Sequence, residues 1–475
     1  MSHSFLYFII RAGNGVFAIA TLAVFTRLLS PSEYGVYAIG MSIATVASTI
    51  LFQWLSVATA RFYPMHIDDP GKVMGVAVSG FWVATVASAV LFSFGALTFH
   101  KVLTVDLAWG GIVFLIAVAL GRHSLALQQA NSQSCPIRYG LLSWAKGGGA
   151  LFSGFLLIYY GMGARGALLG FFAGLVFAVI AFALKTNVRM KLGSGDKELS
   201  VEMYRYGVPV TLNFFAILIV DLADRFMIGK LLGVVHVASY VVAYDLVQLS
   251  VGPVMNVLFL TAFPLIVKEF EGGGLKLARI RLSTLGSRLI SCGLPFAVGV
   301  GVLASDIAGI ILGNDYHQVG GAIIPWLGAA IFVGACKSYY FDVIFQLHHA
   351  NKIQGCISIL MALVNIVLNL LLLPRFGVIA AAWSTLAAFI VGALVSWFAG
   401  KTLFALPSLG KVFRRSACAS AIMACVLYLL PGTTGVIWLL AKIQLGFVIY
   451  VAMALVLDLS DCRKLIVSFI SQHNR

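Results

Sequence analysis

The sequence predicts an all-α membrane protein with about fourteen transmembrane helices, arranged as two six-helix lobes and two further C-terminal helices. Three observations predict this fold class: a very low share of charged residues, repeated apolar runs of spanning length, and an alternation of basic loops. Of the 475 residues, 61% are hydrophobic and only 10% are charged, whereas a soluble domain carries about 25% charged residues. Lipid must therefore solvate most of the surface.

The apolar runs mark the helices, because about 20 mostly apolar residues cross a bilayer. In the first part of the chain they fall near 5–27, 34–56, 73–98, 107–128, 139–160 and 164–184. After a polar segment, further runs fall near 206–228, 236–260, 283–304, 321–345, 355–373, 378–399, 414–430 and 434–457. Gly161–Gly163 divides two of these helices, and the helix 206–228 contains three charges.

The basic loops predict the orientation, because Lys and Arg collect in cytoplasmic loops. Alternate loops carry most of the basic residues, for example Arg138 after the fourth helix and four Lys or Arg between 268 and 281 after the eighth. Both termini are therefore predicted to be cytoplasmic, and an even number of helices agrees. The formal charge of +15 is explained by this orientation, so we expect no nucleic-acid partner.

Other classes of protein are disfavoured by what the sequence lacks. The seven cysteines are scattered without a CxxC spacing, which argues against a disulfide framework and a zinc site. No cleavable signal peptide is evident. No Ser-His-Asp, paired-carboxylate or metal-ligand spacing stands out, so we assign no catalysis. The predicted outer loops are short, which opposes a membrane glycosyltransferase or polymerase.

Two matched segments indicate an internal repeat. Leu127–Asn131 and Leu347–Asn351 read LQQAN and LHHAN, and each ends an equivalent helix of its half. Leu28–Tyr37 and Leu231–Tyr240 share the Leu-Leu start and the closing Tyr. Six helices per repeat preserve orientation, so the substrate site is expected between parallel halves. The predicted divisions are a first lobe 1–184, a cytoplasmic linker 185–205, a second lobe 206–399, and two extra helices with a tail, 400–475.

Basic residues inside the predicted helices are functional candidates, because an intramembrane charge is costly. Arg11, Arg122 and Lys337 lie on helices that this architecture turns towards a central cavity. Arginine suits phosphate because its guanidinium donates two parallel hydrogen bonds. Snorkelling to the inner headgroups is the alternative, and it is the favoured one for Lys146. Asp342 stands five residues after Lys337, slightly more than one turn, so direct pairing of the two is possible but not favoured.

Acidic residues in the second half are candidates for ion coupling. Asp221, Asp224 and Arg225 share a helix face, so a structural ion pair near the outer surface competes with a coupling role. Asp245, about two turns into the eighth helix, is the other candidate. A buried carboxylate can take up and release a proton or bind Na⁺. No cofactor beyond H⁺ or Na⁺ is expected.

Two further segments resemble a known family. Thr26–Tyr37, TRLLSPSEYGVY, is similar to the first-loop signature of bacterial polysaccharide transporters, the O-antigen flippase branch of the multidrug/oligosaccharidyl-lipid/polysaccharide (MOP) exporter superfamily. Asp224–Gly229, DRFMIG, resembles the seventh-helix motif of that family. Ser239 stands where the family commonly has Gly. The resemblance covers the whole length and implies a V-shaped pair of lobes, like that of multidrug exporters of the superfamily.

The resemblance implies a flippase for an undecaprenyl-diphosphate-linked oligosaccharide, an O-antigen or exopolysaccharide repeat unit. The substrate would move from the cytoplasmic to the periplasmic leaflet of the bacterial inner membrane by alternating access, driven by an ion gradient. Implied partners are membrane lipids and a polysaccharide polymerase with its chain-length regulator. A cation-coupled multidrug exporter and a flippase for the peptidoglycan lipid precursor stay open as alternatives.

Overall fold

The computed structural model describes residues 3–66, 68–103, 106–183, 196–272, 274–348, 350–403, 407–432 and 435–459. Within these ranges the chain is helical and has no β-strand. The first helices are α1 (His3–Leu28), α2 (Pro31–Met65), α3 (Pro70–Leu103), α4 (Leu107–Ser132), α5 (Pro136–Leu157), α6 (Gly163–Ala178) and α7 (Lys197–Leu231). The later ones are α8 (Val234–Glu271), α9 (Leu275–Val302), α10 (Ala304–Ile311), α11 (His317–Cys336), α12 (Val343–Leu347), α13 (Asn351–Phe376), α14 (Ile379–Lys401), α15 (Gly410–Leu429) and α16 (Val436–Val456).

Spanning length is reached by eleven helical segments of the described chain. One of them, Pro136–Phe182, contains both α5 and α6. In α1 the apolar stretch Gly13–Leu28 is shorter than spanning length, so α1 is not counted among the eleven, and neither is α7. The all-helical membrane fold is therefore confirmed, while the number fourteen stays a prediction.

Local sequence explains where these helices begin and end. At the start of α2, the Ser30 hydroxyl accepts a hydrogen bond from the Glu33 amide, and the Glu33 carboxylate accepts one from the Ser30 amide at 2.9 Å. This capping box satisfies two of the donors that every helix start leaves open. The predicted break between α5 and α6 is present: Gly161 and Gly163 have φ of 83° and 50°, a left-handed conformation that favours glycine.

The helices form two compact units, Met1–Phe226 and Met227–Arg475. In unit 1, α5 and α6 approach closely through small residues. A side chain at Gly170 would meet the backbone of Gly154, and one at Gly174 would meet the backbone of Ala150. Gly170 and Gly174 are four residues apart, the spacing by which membrane helices pack backbone to backbone.

The first turns of α7 also pack within unit 1. Leu199 and Met203 are buried in one apolar cluster with Phe52 and Phe62 of α2. Asp196, just before α7, forms an ion pair with Lys72 of α3. The division between the units therefore falls inside α7, after the linker predicted at 185–205, of which 185–195 lie outside the described residues.

In unit 2, the last helix, α16, is tied to two preceding helices by polar contacts. The Lys442 ammonium of α16 lies 2.7 Å from the Asp306 carboxylate of α10. The Tyr450 hydroxyl donates a 2.6 Å hydrogen bond to the Ser291 carbonyl of α9. Because α15 packs against α9 as well, both C-terminal helices belong to the packing of unit 2.

Candidate functional site

Arg122 and His123 are adjacent on α4, and their side chains leave the helix in different directions. The Nε2 atom of His123 lies 3.2 Å from the Leu142 carbonyl oxygen of α5. Successive residues of a helix are about 100° apart, so Arg122 does not share that contact. Its Nη1 atom is buried and has no hydrogen-bond partner among the described residues. A buried donor left open costs about 1–3 kcal/mol, so water or a ligand is expected to supply the acceptor.

A second buried polar group lies on the same face of α4. Gln129 follows Arg122 by seven residues, about two turns, and its side chain is only 1% exposed. Both its amide nitrogen and its amide oxygen lack a partner within the part of the chain that the structure describes. The neighbouring Gln128, by contrast, donates to the Ser132 hydroxyl at 3.2 Å. One face of α4 therefore presents two side chains with open hydrogen-bonding capacity, roughly 10 Å apart along the axis.

The charges near this part of α4 are basic as well. Arg138 acts electrostatically on Arg122, and Lys146 acts on His123. Neither Arg122 nor Lys146 forms an ion pair with any described residue. This region of unit 1 therefore suits a ligand with anionic or hydrogen-bond-accepting groups.

Arg11 is another of the predicted cavity cations and belongs to unit 1. Its backbone is part of α1, but its side chain lies outside the described residues. Its predicted contact with substrate phosphate therefore stays a prediction. The hydrogen bond from the Trp144 indole to the Ile10 carbonyl at 3.0 Å places this part of α1 against α5.

Lys337 is paired with Asp342, so the expectation that their pairing is not favoured is wrong. The Lys337 ammonium lies 2.7 Å from an Asp342 carboxylate oxygen, and the two side chains are 5% and 1% exposed. The reason is local: Lys337–Phe341 is a π-helical turn, in which the Asp342 amide donates to the Lys337 carbonyl at 2.9 Å. A π turn brings residues five apart onto one side of the helix, which the α-helical spacing does not.

Two other helices complete the surroundings of the Asp342 carboxylate. The Ser396 hydroxyl of α14 donates to one oxygen at 2.8 Å, and the Gln354 amide of α13 lies 3.4 Å from the other. The carboxylate is therefore surrounded by donors. As a substrate contact, Lys337 stays a prediction that requires this ion pair to open.

The predicted coupling acids occupy separate positions. Asp224 is buried, 1% exposed, on α7, and the guanidinium of its neighbour Arg225 lies 3.4 Å from the Ser42 hydroxyl. The side chain of Asp221 lies outside the described residues, so its pairing with Arg225 stays a prediction. Asp245 is half-buried on α8, one residue after Tyr244, whose ring stacks on Tyr240.

Sequence reasoning missed a buried polar cluster in unit 2, here called the Asn–Thr cluster and consisting of Tyr240, Asn365, Asn369 and Thr385. The Asn365 amide nitrogen and the Tyr240 hydroxyl lie 3.4 and 3.3 Å from the Thr385 hydroxyl. The Asn369 amide donates to the Asn365 amide oxygen at 3.2 Å. Both asparagines are 0% exposed. Their four-residue spacing inside an apolar run was the available signal.

Three helix connections of unit 1 surround a cavity of about 590 Å³ lined by Glu33, Asp106, Trp109 and Arg165. Asp106 caps α4 and forms an ion pair with Arg165, which lies in the first turn of α6. Partial burial raises the pKa of the Asp106 carboxyl, but hydrogen bonds from the Ala108 and Trp109 amides and the Arg165 guanidinium outweigh it and hold that pKa below its usual value. The carboxylate therefore stays charged at neutral pH.

Comparison with known proteins gives a family and a fold. A family described as polysaccharide biosynthesis protein matches residues 24–320. The probable low-salt glycan biosynthesis flippase Agl15 of Haloferax volcanii is 22% identical over 320 residues, which are 66% of this chain and 65% of that protein. The chain therefore matches slightly less than two thirds of this relative's length.

Two solved structures have the same fold. The lipid II flippase MurJ, in an inward closed conformation, gives a TM-score of 0.72 at 16% identity, over 97% of this chain and 100% of that one. An inward-facing multidrug resistance transporter of the MATE family, from the MOP superfamily, gives 0.65 at 13% identity, over 84% and 97%. At these identities the likeness establishes the fold alone.

Proposed function

Because the chain belongs to the polysaccharide biosynthesis protein family, we propose that it is a flippase of the MOP superfamily for a lipid-linked oligosaccharide. The substrate is an O-antigen or exopolysaccharide repeat unit on undecaprenyl diphosphate. It moves from the cytoplasmic to the periplasmic leaflet of a bacterial inner membrane, with both termini of the protein in the cytoplasm. The fold shared with a lipid flippase and a multidrug transporter supports transport by alternating access.

The observation that carries the choice of substrate is the buried, unpartnered guanidinium nitrogen of Arg122. A diphosphate supplies the acceptors that this nitrogen lacks, and a charge-assisted hydrogen bond is roughly twice as strong as a neutral one. Gln129, about two turns away on the same face, offers an amide that suits sugar hydroxyls. A cationic drug would be repelled by Arg122 and Lys146, which favours the glycolipid over a multidrug substrate.

Coupling to an ion gradient has two kinds of candidate site, carboxylates and uncharged oxygens. Asp221, Asp224 and Asp245 are the groups that a proton or Na⁺ would occupy, and the burial of Asp224 supports a role for it. The Asn–Thr cluster offers uncharged oxygens, the kind of ligand that hard cations accept. A proton requires a titratable carboxylate, whereas Na⁺ can use amide and hydroxyl oxygens. The two mechanisms can therefore be distinguished by comparing two variants. Asp224→Asn tests coupling through a carboxylate, and Asn369→Leu tests coupling through the Asn–Thr cluster.

The proposal is tested by deleting the gene and analysing the lipid-linked intermediates by leaflet. Complete repeat units should accumulate on undecaprenyl diphosphate in the cytoplasmic leaflet, and surface glycan should be lost. Expression of the wild-type chain should restore both, whereas Arg122→Gln at equal protein level should not. Normal surface glycan with increased drug sensitivity would refute the flippase and support a multidrug exporter.

A flippase for the peptidoglycan lipid precursor is the second candidate, because the fold similarity to MurJ covers 97% of this chain and 100% of that one. The two substrates share the diphosphate that Arg122 would contact, so the site does not separate them. Depletion of the protein distinguishes the two candidates. Loss of a peptidoglycan flippase stops cell-wall growth and lyses the cell, whereas loss of a repeat-unit flippase leaves the cell wall intact. A polymerase and chain-length regulator are expected partners only for the repeat-unit flippase.

A further inference from the structure

Unit 2 contains a second cavity, of about 540 Å³, that the proposed transport cycle does not use. Its walls are apolar and come from four parts of the unit: Leu289 of α9, Phe341 of the π turn, Trp397 of α14 and Phe413 of α15. The volume falls within the range of cavities that enclose small apolar ligands, about 300–1,000 Å³. The Tyr340 hydroxyl donates to the Pro407 carbonyl at 3.0 Å, which holds the connection before α15 against this cavity.

The rim of the cavity is basic. Lys401 lines it, is exposed, and places its ammonium 3.3 Å from the centroid of the Trp397 ring. Lys411 follows the lining residue Gly410 and is exposed. Arg279 is exposed on α9, seven residues or about two turns before the lining residue Gly286, and therefore on the same face.

No acidic residue offsets these charges in the two bordering segments. Residues 275–288 and 401–415 contain eight Lys or Arg and no Asp or Glu. The first turn of α15 adds to the positive potential, because its N-cap Leu409 supplies no side-chain hydrogen bond and the first amides of a helix carry a partial positive charge. The cavity therefore joins apolar walls to a cationic mouth where two membrane helices end.

We propose that this cavity binds an anionic phospholipid, with one acyl chain against the apolar walls and the phosphate at Lys401, Lys411 and the start of α15. Charge complementarity identifies this occupant. A free phosphate would leave the apolar walls in contact with water, and a zwitterionic lipid carries no net charge to match the rim. The proposal rests on the membrane location of unit 2 and not on the transported substrate.

Native mass spectrometry of the detergent-solubilised full chain tests the charge part of the proposal. One molecule of phosphatidylglycerol should remain bound, in preference to phosphatidylcholine. A basic side chain near an anionic lipid surface contributes about fivefold in affinity, so Lys401→Gln/Lys411→Gln should weaken binding by about thirtyfold. Lys352→Gln removes an exposed charge at the start of α13, outside the cavity, and should leave binding unchanged. Equal retention of lipid by the double variant and the Lys352 control would overturn the proposal.

A steric variant tests the apolar part. Ser408 lines the cavity and is exposed, so Ser408→Trp should fold and fill the mouth, reducing lipid binding at least tenfold. Thr402→Trp adds the same bulk to an exposed position that does not line the cavity and serves as the control. Competition by inorganic phosphate alone, or equal binding of phosphatidylcholine, would show an anion site or a nonselective apolar site and would refute the assignment. An unchanged unfolding temperature without lipid shows that each variant is folded.

Discussion

Removing one member of the Lys337–Asp342 ion pair is expected to destabilise unit 2 strongly. The two charged groups lie 2.7 Å apart and are 5% and 1% exposed, so neither can turn to water when its partner is lost. Breaking a buried pair by removing one partner costs about 3–5 kcal/mol, because an uncompensated charge stays behind. Replacing both members by apolar residues removes that charge and is often neutral.

The two single variants are expected to differ. Lys337→Met leaves a carboxylate that still accepts hydrogen bonds from Ser396 and Gln354, so its cost lies near the lower end, about 3 kcal/mol. Asp342→Leu leaves an ammonium without another ion-pair partner among the described residues, so its cost lies near the upper end, about 5 kcal/mol. The double variant Lys337→Met/Asp342→Leu is expected to be more stable than either.

The measurement is thermal unfolding of the purified protein in detergent, followed by tryptophan fluorescence. At about 2–4 °C per kcal/mol for units of this size, Lys337→Met should lower the midpoint by roughly 6–12 °C. Lys352→Met, at an exposed position, should lower it by little. Additive effects, with the double variant less stable than both singles, would contradict the reasoning, as would an unchanged midpoint in Lys337→Met.

The same set of variants separates a structural role of Lys337 from substrate binding. If the ammonium only neutralises Asp342, the stable double variant should flip the lipid-linked substrate at a rate near that of the wild type. If Lys337 also contacts the substrate diphosphate, the double variant should be folded and inactive. Flipping in proteoliposomes, measured with a fluorescent lipid-linked oligosaccharide at equal protein level, distinguishes these outcomes.

Three further predictions follow from the other sites. Arg122→Lys should retain part of the flipping activity, because it keeps the charge, whereas Arg122→Gln should reduce the flipping rate at least tenfold. Equal reductions in the two variants would mean that the shape of the guanidinium, and not its charge, is what the substrate requires. Asn369→Leu should abolish any dependence of transport on Na⁺ and leave proton dependence unchanged, measured with each gradient imposed separately. The depressed pKa of Asp106 means that its ion pair with Arg165 persists at neutral pH and is lost only as the pH falls through a pKa below the ordinary range of an aspartate. Hydrogen exchange near Arg165 should therefore stay slow at pH 6 in the wild type but not in Asp106→Asn.

Much of the fold was predictable because hydropathy alone identifies segments that are long and apolar enough to cross a membrane. Apolar runs of spanning length and the Gly161–Gly163 break needed no tertiary information. Ser30 and Glu33 also mark the start of α2, since a capping box depends only on local spacing. What could not be predicted was the start of α7 at Lys197, because its first turns are held by packing on α2 and by the ion pair of Asp196 with Lys72, contacts between residues far apart in sequence.

The candidate site was less predictable than the fold, for two physical reasons. The spacing of Lys337 and Asp342 excludes a contact on an α-helix, and only the π turn at Lys337–Phe341 brings the two groups together. Asn365 and Asn369 carry no charge, so a search for intramembrane charges passes over them. Their burial and mutual hydrogen bonds become visible only when α13 and α14 are packed.

The cations of the two units differ in a way that bears on where an anionic headgroup binds. In unit 2 the buried lysines are neutralised, Lys337 by Asp342 and Lys442 by Asp306. In unit 1, Arg122 and Lys146 lie within spanning helices and have no acidic partner among the described residues. An unneutralised cation in a membrane is retained at a cost, whereas a paired one contributes little net potential. Electrostatics therefore favours α4 of unit 1 for the proposed diphosphate contact, and it makes Arg122 a better test of substrate binding than Lys337.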